Sequence, residues 1–456
     1  MVYRRALDYL VEWKDRKSRK PLVIRGARQV GKTWLARELA TTCFDDLVEI
    51  NFEYEIEAAS LFESRNPKEI LQLLEIQYGR KIVPGKTLLF LDEIQSAIDV
   101  FSTLRYFYEL LPELHVIATG SLLEFHFGED EINVPVGRVE YMFLGPMVFE
   151  EFLHALGKTE LIQYLESYTV DKIIPEAIHL QLLKLLAQYI LVGGMPESIF
   201  LLVETGSYRE CDILKQSILS SYIDDFAKYG RRMNVDLIRD IFTKLPYLVG
   251  LKFKYSAISR TSKAREIRKM IMNLFKAGIA TPIFSSSCNG IPIKAEKSVN
   301  IFKILFIDVG LLCRACGMNS IDMLSADKLM MINSGAVAEQ FAGQHLLSER
   351  EFYEKPELYY WVREKKNSSA EVDYVTTLRG NIVPMEIKAG KTGSLKSLHM
   401  FLKTKDRSFG VRFNMDIPSL AENVTGLSGE NVEYKLLSLP LYLIGQYKRL
   451  VDECWE

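Results

Sequence analysis

Continuous runs of apolar residues in the first part of the chain predict strands that are buried on both faces. The runs lie in "KPLVIRG", "TLLFLDE" and "LHVIATGS"; "LVEIN" is a further predicted strand, and segments with helical spacing of apolar residues separate the strands. Such strands, alternating with helices, are typical of a mostly parallel sheet that helices cover on both sides. The pattern therefore predicts an α/β domain over residues 1–156.

Residues 157–229 carry leucines at helical spacing and no evident chemistry, which predicts a helical linker or lid. The most apolar part, "LQLLKLLAQYILVGGMPESIFLLVE", is interrupted by Lys184, Gln188, Gly193, Gly194 and Pro196. A membrane-spanning helix needs about 20 consecutive, mainly apolar residues. We therefore interpret this part as buried helix and turn, and we expect no membrane span.

Two further regions follow. Residues 230–330 combine a short helix, a polar turn, the amphipathic helix "REIRKMIMNLFKAG" and the strand "IATPIF", which predicts a winged helix-turn-helix. Residues 331–456 contain the predicted helix "SGAVAEQFAGQHLL" and two strand-like runs on either side of a turn at Arg379 and Gly380. This pattern predicts a C-terminal α/β domain.

The composition is that of a globular protein, with 456 residues, 48% hydrophobic, 25% charged and a net charge of −2. The near-neutral charge means that any contact with nucleic acid must come from a local basic patch. The N-terminus lacks the pattern of a signal peptide, so we expect a cytoplasmic, reduced protein. Among the six cysteines, the close pair Cys313 and Cys316 lacks further ligands at metal-site spacing, and we interpret both as small buried residues.

The loop after the first strand matches the pattern G-x-x-x-x-G-K-[ST] in full, in the sequence "GARQVGKT". Glycines let the backbone amides of such a loop converge on phosphate groups, and the following helix presents its positive end. Lys32 can reach the β- and γ-phosphates, and the hydroxyl of Thr33 can bind Mg²⁺. The residues that we expect to contact a nucleotide are Gly26, Ala27, Arg28, Gln29, Val30, Gly31, Lys32, Thr33 and Trp34.

An acidic pair should complete this site at the end of another buried strand, and Asp92 and Glu93 follow the run "LLFL". Asp92 would bind Mg²⁺, and Glu93 would orient and polarise the attacking water. The strand in "LHVIATGS" ends at Thr119 and Ser121, which are placed to contact the γ-phosphate.

Together with "GRVEYMFLGPMVFEEFL", these motifs resemble a prokaryotic family of AAA-type ATPases that carries a C-terminal domain of unknown function. The resemblance implies ATP and Mg²⁺ as cofactors, with catalytic roles for Lys32 and Glu93. It also makes Arg138 a candidate arginine finger or sensor that stabilises charge in the transition state. A structural salt bridge is the alternative for Arg138. A finger that serves a neighbouring subunit would imply a homo-oligomer.

A local excess of basic residues lies between positions 250 and 276, where Glu266 is the only acid. Such an excess could form a positive face for DNA phosphates, with Arg265, Arg268 and Lys269 beside the polar face of the predicted recognition helix. The alternatives are a winged helix that binds protein and a basic face that is merely solvated. The basic residues are Lys252, Lys254, Arg260, Lys263, Arg265, Arg268, Lys269 and Lys276.

Carboxylates recur in the C-terminal hairpin "EVDYVTTLRGNIVPMEIK". Strand alternation predicts Glu371 and Asp373 on one face and Val372 and Tyr374 on the other. A tight turn would place Asp373 opposite Glu386 within one register step.

Two acids so close repel each other unless a cation lies between them. We therefore expect Asp373, Glu386 and an upstream acid, Glu339, to bind Mg²⁺. Lys388 would assist attack on a phosphodiester. The Asp…Glu-x-Lys pattern resembles that of restriction-endonuclease-like nucleases, and Pro384 predicts an edge or bulged strand.

The sequence thus predicts a protein that binds and hydrolyses ATP and acts on DNA through a winged helix and a nuclease-like domain. The alternative is an ATP-dependent switch that controls protein assembly and whose nuclease fold is inactive.

Overall fold

The computed structural model describes residues 3–120, 137–228, 234–259, 261–320, 335–365, 368–390, 395–424 and 433–455. Contacts divide the chain into two compact units. Unit 1 comprises Met1–Pro146, Asn273–Ile279 and Glu351–Lys355, and unit 2 comprises Met147–Met272, Ala280–Arg350 and Pro356–Glu456.

Unit 1 is built on a five-stranded sheet in the order β2-β3-β4-β1-β5, in which neighbouring strands are parallel. Strands β3 and β4 are buried along their whole length, as their apolar runs predict. Its elements are α1 (Arg5–Asp15), β1 (Leu22–Arg25), α2 (Lys32–Cys43), β2 (Asp46–Asn51), α3 (Pro67–Tyr78), β3 (Thr87–Asp92), α4 (Ile98–Leu110), β4 (His115–Gly120) and β5 (Glu140–Phe143).

Helices form the first part of unit 2, further helices lie between and after the strands of its sheet, and the helix Ala264–Lys276 ends within unit 1. In the part of the chain that the structure describes, no single helix is long and apolar enough to cross a membrane, and α7 and α8 pass that test only as a pair bent by 119°. The helices are α5 (Phe149–Ala155), α6 (Thr159–Ser167), α7 (Glu176–Val192), α8 (Pro196–Thr205), α9 (Tyr208–Lys228), α10 (Val235–Lys244), α11 (Tyr255–Ile258), α12 (Ala264–Lys276), α13 (Val309–Ala315), α14 (Gly335–Ser348), α15 (Lys396–Lys405) and α16 (Tyr447–Glu453).

The second sheet has eight strands in the order β12-β13-β11-β10-β9-β8-β6-β7. Because β6 and β7 belong to it, the predicted division at residue 330 separates strands that the structure joins in one sheet. The predicted α/β class, with an N-terminal parallel sheet, a helical middle and a C-terminal sheet region, is confirmed. The strands are β6 (Ala280–Ser286), β7 (Lys297–Phe306), β8 (Leu358–Lys365), β9 (Ser368–Leu378), β10 (Asn381–Ile387), β11 (Phe409–Asn414), β12 (Ser419–Val424) and β13 (Tyr434–Pro440).

A buried carboxylate, Asp308, ties helices of unit 2 together. Its Oδ1 accepts from the amide of Leu311 at 2.9 Å and so caps α13, while its Oδ2 accepts from the amide of Gly194 at 2.6 Å and from Nε2 of Gln344 at 3.3 Å. Gly193 has a φ of 83°, and a Cβ there would overlap Asp308. Asp308 therefore has a structural role, and the glycine leaves room for it.

All six cysteines are free, and Cys313 is buried whereas Cys316 is half-buried. Among the described residues, no group of three His, Cys, Asp or Glu side chains is arranged to hold a metal ion. Burial raises the pKa of the Cys313 thiol. The interpretation as buried residues therefore holds for Cys313 but not for Cys316, which is half-buried.

Candidate nucleotide site and carboxylate cluster

The loop between β1 and α2 depends on glycines at two positions. Gly26 has a φ of 157°, and a Cβ at this residue would overlap the carbonyl oxygen of Leu144. Gly31 has a φ of 94° and is the N-cap of α2, so the helix begins with its free amides directed at the loop. The sequence pattern therefore folds into a loop whose backbone curls at the N-terminal end of a helix, where anions bind.

Lys32 begins α2 and is only 6% exposed. Its Nζ donates to the carbonyl oxygens of Ala27 at 2.7 Å and of Gly26 at 3.0 Å, so the ammonium lies within the loop. Burial lowers the pKa of Lys32 to about 8, and the nearby Glu93 and Asp92 oppose that shift. A phosphate group here would restore the preference for the charged form.

Asp92, at the end of β3, is held by hydroxyl groups from two other elements. Thr33 donates from Oγ1 to its Oδ2 at 2.9 Å, and Thr119, at the end of β4, donates to its Oδ1. This contact is possible because β4 lies between β1 and β3 in the parallel sheet. Carboxyl ends of parallel strands meet at one edge, and that edge carries the loop and the carboxylate together.

Glu93 has a φ of 50°, which is unusual for a residue other than glycine. This backbone conformation directly follows the buried strand, and the side chain accepts a hydrogen bond from Nε2 of Gln95. Glu93 is therefore held in a defined direction beside Asp92, at the same sheet edge as the loop. Sequence reasoning missed Gln95, which follows Glu93 by two residues and carries no motif of its own.

In the C-terminal sheet, a buried lysine lies among carboxylates. Lys303 on β7 is 1% exposed, and its Nζ contacts Glu339 on α14 at 3.1 Å, Asp373 on β9 at 3.7 Å, and Glu371 on β9. Lys388 directly follows β10, and its Nζ donates to Oε1 of Glu386 on β10 at 2.5 Å. We call Glu339, Glu371, Asp373 and Glu386 the carboxylate cluster.

The hairpin brings Asp373 and Glu386 to facing positions, as the tight turn predicts. Tyr374 pairs with Met385, so the next step of the register places Glu386 opposite Asp373. The amide of Ile387 donates to Oδ2 of Asp373 at 2.8 Å.

Glu371 and Asp373 share a face as predicted, since both contact Lys303, but the predicted shared face of Val372 and Tyr374 is wrong. The register between β8 and β9 shifts between Tyr359 and Trp361, which marks a bulge. As a result Val372 packs in one apolar cluster with Val375, whereas Tyr374 turns to α14 and donates to the carbonyl oxygen of Glu339 at 2.7 Å.

The structure does not bring the predicted metal set of Asp373, Glu386 and Glu339 together as a group that could hold a metal ion. Within the described ranges no three such side chains converge on a metal position, because the ammonium of Lys303 lies between Glu339 and Asp373. Pro384 also differs from prediction, since β10 lies inside the sheet between β9 and β11. Pairing with β11 begins at Met385, one residue after the proline, so the missing amide costs no bond there.

Burial sets the protonation of the cluster. It raises the pKa of Glu339 to about 8 and that of Glu386 to about 7, and the charge of Asp373 adds to both shifts. The pKa of Lys303 is raised because three carboxylates outweigh the effect of its burial. The charged form of Lys303 is therefore favoured, and the lysine and the acids of the cluster are electrostatically linked.

The predicted recognition helix is α12, which lies after α10 and α11 and before the antiparallel pair β6 and β7. Ile267 and Ile271 are buried, whereas Arg265, Arg268 and Lys269 are exposed. The basic face of α12 is therefore accessible to a partner, and Arg260 lies outside the described residues.

The sequence of residues 18–153 matches the model of a family described as "AAA domain". With the loop, Asp92 and the parallel sheet in place, this match decides the type of domain. Residues 18–153 match an AAA domain. Residues 183–322 and 334–427 match two domains of unknown function, DUF8612 and DUF4143. No curated protein matches the chain.

Solved structures with some likeness include the Aeropyrum pernix ORC1 protein in complex with DNA, at 12% identity over 71% of this chain and 94% of that one, with a TM-score of 0.28. The Thermotoga maritima RuvB Holliday junction branch migration motor is 13% identical over 61% and 89%, with a TM-score of 0.28. PCH-2 from C. elegans is 13% identical over 61% and 69%, with a TM-score of 0.21. The family match, not these weak similarities, identifies the AAA domain.

The AAA domain has donors of the right chemistry for ATP and Mg²⁺. The ammonium of Lys32 and the amides at the start of α2 suit phosphate oxygens, and the hydroxyl of Thr33 and the carboxylate of Asp92 suit Mg²⁺. These two oxygen ligands already lie 2.9 Å apart. Ser121, predicted near the γ-phosphate, lies outside the described residues.

Arg138 does not join the nucleotide site of its own AAA domain. It precedes β5, whose first residue, Glu140, pairs with Leu22 at the start of β1, so Arg138 lies at the sheet edge opposite the loop. Its Nε donates to Oε1 of Glu109 on α4 at 2.7 Å. The length of the strand therefore separates Arg138 from the loop of the same chain.

The structure also brings a distant residue to the loop. A Cβ at Gly278 would lie 3.2 Å from the amide nitrogen of Ala27, and Gly278 has a φ of 70°. The sequence signals Gly278 as the end of a helix, but its approach to Ala27 joins residues far apart in the chain.

Proposed function

We propose that the protein binds and hydrolyses ATP and binds DNA through the basic face of α12. The observation that supports hydrolysis is the interlocked set of Lys32, Thr33, Asp92 and Thr119 at one sheet edge. ATP is the source of the phosphoryl group. When bound, Mg²⁺ would neutralise negative charge on the phosphates, and Thr33 and Asp92 are the residues that would bind the ion.

The chain's own residues divide the work. Lys32 and the loop amides bind and neutralise phosphate oxygens, and burial keeps water away from the ammonium. Glu93, held by Gln95, orients the attacking water and accepts its proton. Thr119 keeps Asp92 aligned for its ion.

The exposed face of Arg265, Arg268 and Lys269 supports the DNA part of the proposal, because these cations protrude from a helix that packs by its other face. Binding of such cations to DNA phosphates releases counterions from the DNA. Because this release is less favourable at high salt concentration, the affinity falls as salt is added. Reversing the charge at Arg268 and Lys269 should therefore lower affinity for duplex DNA at least tenfold and reduce the salt slope by about 2 or more.

The test is duplex binding by fluorescence anisotropy at several salt concentrations, together with the ATPase rate with and without duplex. Lys184→Glu is the matched control, because it makes the same change at an exposed helical position in α7. Binding that is equally weakened by Lys184→Glu, or unaffected by Arg268→Glu, would remove the basis for DNA recognition by α12.

In this proposal Arg138 serves the ATP site of a second copy of the chain. Arg138→Ala should then lower kcat about 100-fold or more, whereas Glu109→Ala, which breaks the same ion pair, should leave kcat within a few-fold. If both variants lower the stability of the protein equally and neither changes kcat, the ion pair of Arg138 and Glu109 is instead a structural salt bridge.

The second candidate function is an ATP-dependent switch that controls protein assembly, and the ammonium of Lys303 within the carboxylate cluster favours it. Wild type and Asp373→Ala are to be compared for DNA cleavage with Mg²⁺ or Mn²⁺. If wild type cleaves DNA and Asp373→Ala abolishes the cleavage, the nuclease fold is active and the switch is excluded. An ATPase indifferent to DNA, without cleavage by wild type, would support it.

A further inference from the structure

The carboxylate cluster is filled by a cation that belongs to the chain itself. Nζ of Lys303 is the common neighbour of one oxygen each from Glu339, Glu371 and Asp373, all within 3.7 Å. Three carboxylate oxygens around one point are the ligands that divalent ions such as Mg²⁺ and Mn²⁺ prefer. Here an ammonium group takes that point.

The remaining carboxylate oxygens leave little for a metal ion. Asp373 uses Oδ1 toward Lys303 and Oδ2 for the amide of Ile387 at 2.8 Å. Oε1 of Glu386 accepts from Lys388, and its buried Oε2 lacks a hydrogen-bond partner. Three of the four carboxylates thus already direct an oxygen at Nζ of Lys303, so a divalent ion at that point would have to displace the ammonium.

The location of Lys303 makes exchange with a metal ion difficult. Its side chain is 1% exposed and leaves β7 between the buried residues Phe302 and Ile304, with the nitrogen 5.4 Å from the centre of the Tyr360 ring. A buried lysine is stable as a charged group only where partners compensate for the loss of water. The three carboxylates provide that compensation, and the lysine in turn prevents their mutual repulsion.

We propose that Lys303 is the resident cation of the carboxylate cluster, so that the C-terminal sheet works without a divalent metal ion. This inference extends the second candidate function above and is independent of ATP binding. It assigns Lys303 as the residue that decides whether these carboxylates can bind a metal ion. We expect the acids of the cluster to pair with lysine ammonium groups and not to activate a water molecule through a metal ion.

The test is Mn²⁺ binding to the full chain without nucleotide, followed by electron paramagnetic resonance of free Mn²⁺. In wild type, Asp373→Asn should not alter Mn²⁺ binding, because the carboxylate cluster holds no Mn²⁺. Any Mn²⁺ bound by Thr33 and Asp92 is not affected by Asp373→Asn. Lys303→Ala should gain one Mn²⁺ site at least tenfold tighter than any such site in wild type. Adding Asp373→Asn to Lys303→Ala should abolish the gained site.

Lys215→Ala is the matched control, because Lys215 is equally buried but, among the described residues, forms an ion pair with one carboxylate, that of Asp212, at 2.9 Å. It should lose stability without gaining Mn²⁺. Failure of Lys303→Ala to bind more Mn²⁺ than Lys215→Ala would overturn the proposal.

A wild-type Mn²⁺ site that depends on Asp373 would also overturn it, and this measurement decides the matter even where Lys303→Ala does not fold. Nucleotide binding, measured separately on wild type, reports on the ATPase assignment alone.

Discussion

The low pKa of Lys32 makes a specific prediction about how nucleotide binding depends on pH. In the free protein the pKa is lowered from 10.5 to about 8 because the ammonium is buried, which corresponds to about 3 kcal/mol of unfavourable free energy for the charged form. A bound triphosphate places negative charge beside the ammonium and raises this pKa again. ATP binding should therefore take up a proton above pH 7.

The size of the effect follows from the fraction of Lys32 that carries its proton in the free protein. That fraction is about 0.9 at pH 7, about 0.5 at pH 8 and about 0.1 at pH 9 for a pKa near 8. Affinity for ATP should fall about tenfold between pH 7 and pH 9, with uptake of about half a proton per site at pH 8. The phosphate groups are fully ionised in this range, since their last pKa is about 6.

Isothermal titration calorimetry at each pH, in two buffers with different ionisation enthalpies, measures both the affinity and the proton uptake. Lys32→Arg is the control, because an arginine stays charged and should bind without proton uptake. Lys32→Ala should lose binding. An affinity that is constant from pH 7 to pH 9, or equal proton uptake by wild type and Lys32→Arg, would refute the assignment of the buried ammonium to phosphate.

Three further predictions concern single residues. Glu93→Gln should keep ATP affinity within a few-fold and lower kcat at least 100-fold in a phosphate-release assay, because only the proton acceptor is removed; a normal kcat would exclude Glu93 as the base. Gly278→Ala and Gly79→Ala should each lower the free energy of unfolding by about 1 kcal/mol, because both glycines have a positive φ. Only Gly278→Ala should also weaken ATP binding, because its Cβ would press on the amide of Ala27, whereas Gly79 has open space around it. Equal ATP affinities of the two variants would contradict this. Burial lowers the pKa of His115 to about 4, so its neutral form is favoured by folding, and stability should be lost as pH falls from 6.5 towards 4 by up to about 3 kcal/mol. Denaturant unfolding of wild type and His115→Gln checks this, and a variant with the same pH dependence would exclude His115 as the cause.

Where functional residues are close together in the chain, the sequence was sufficient. The apolar runs predicted β1, β3 and β4, and the spacing of Gly26, Gly31 and Lys32 predicted a phosphate-binding loop, because strand, loop and helix start are contiguous and their geometry is local. The Asp92–Glu93 pair was predicted for the same reason. The cysteine pair and the facing positions of Asp373 and Glu386 also depended only on local structure.

Where the outcome depended on residues far apart in the chain, only the tertiary structure decided it. A lone lysine in the apolar run "IFKILF" was the single signal for Lys303, and nothing local indicated that its partners would be Glu339 and Asp373. The edge position of Arg138 depends on the parallel pairing of β5 with β1, and the direction of Tyr374 depends on a bulge in the β8–β9 pairing. Periodicity reports which face of an element is buried, whereas charge compensation between elements is set by packing, and so the cation of the carboxylate cluster became visible only in the folded chain.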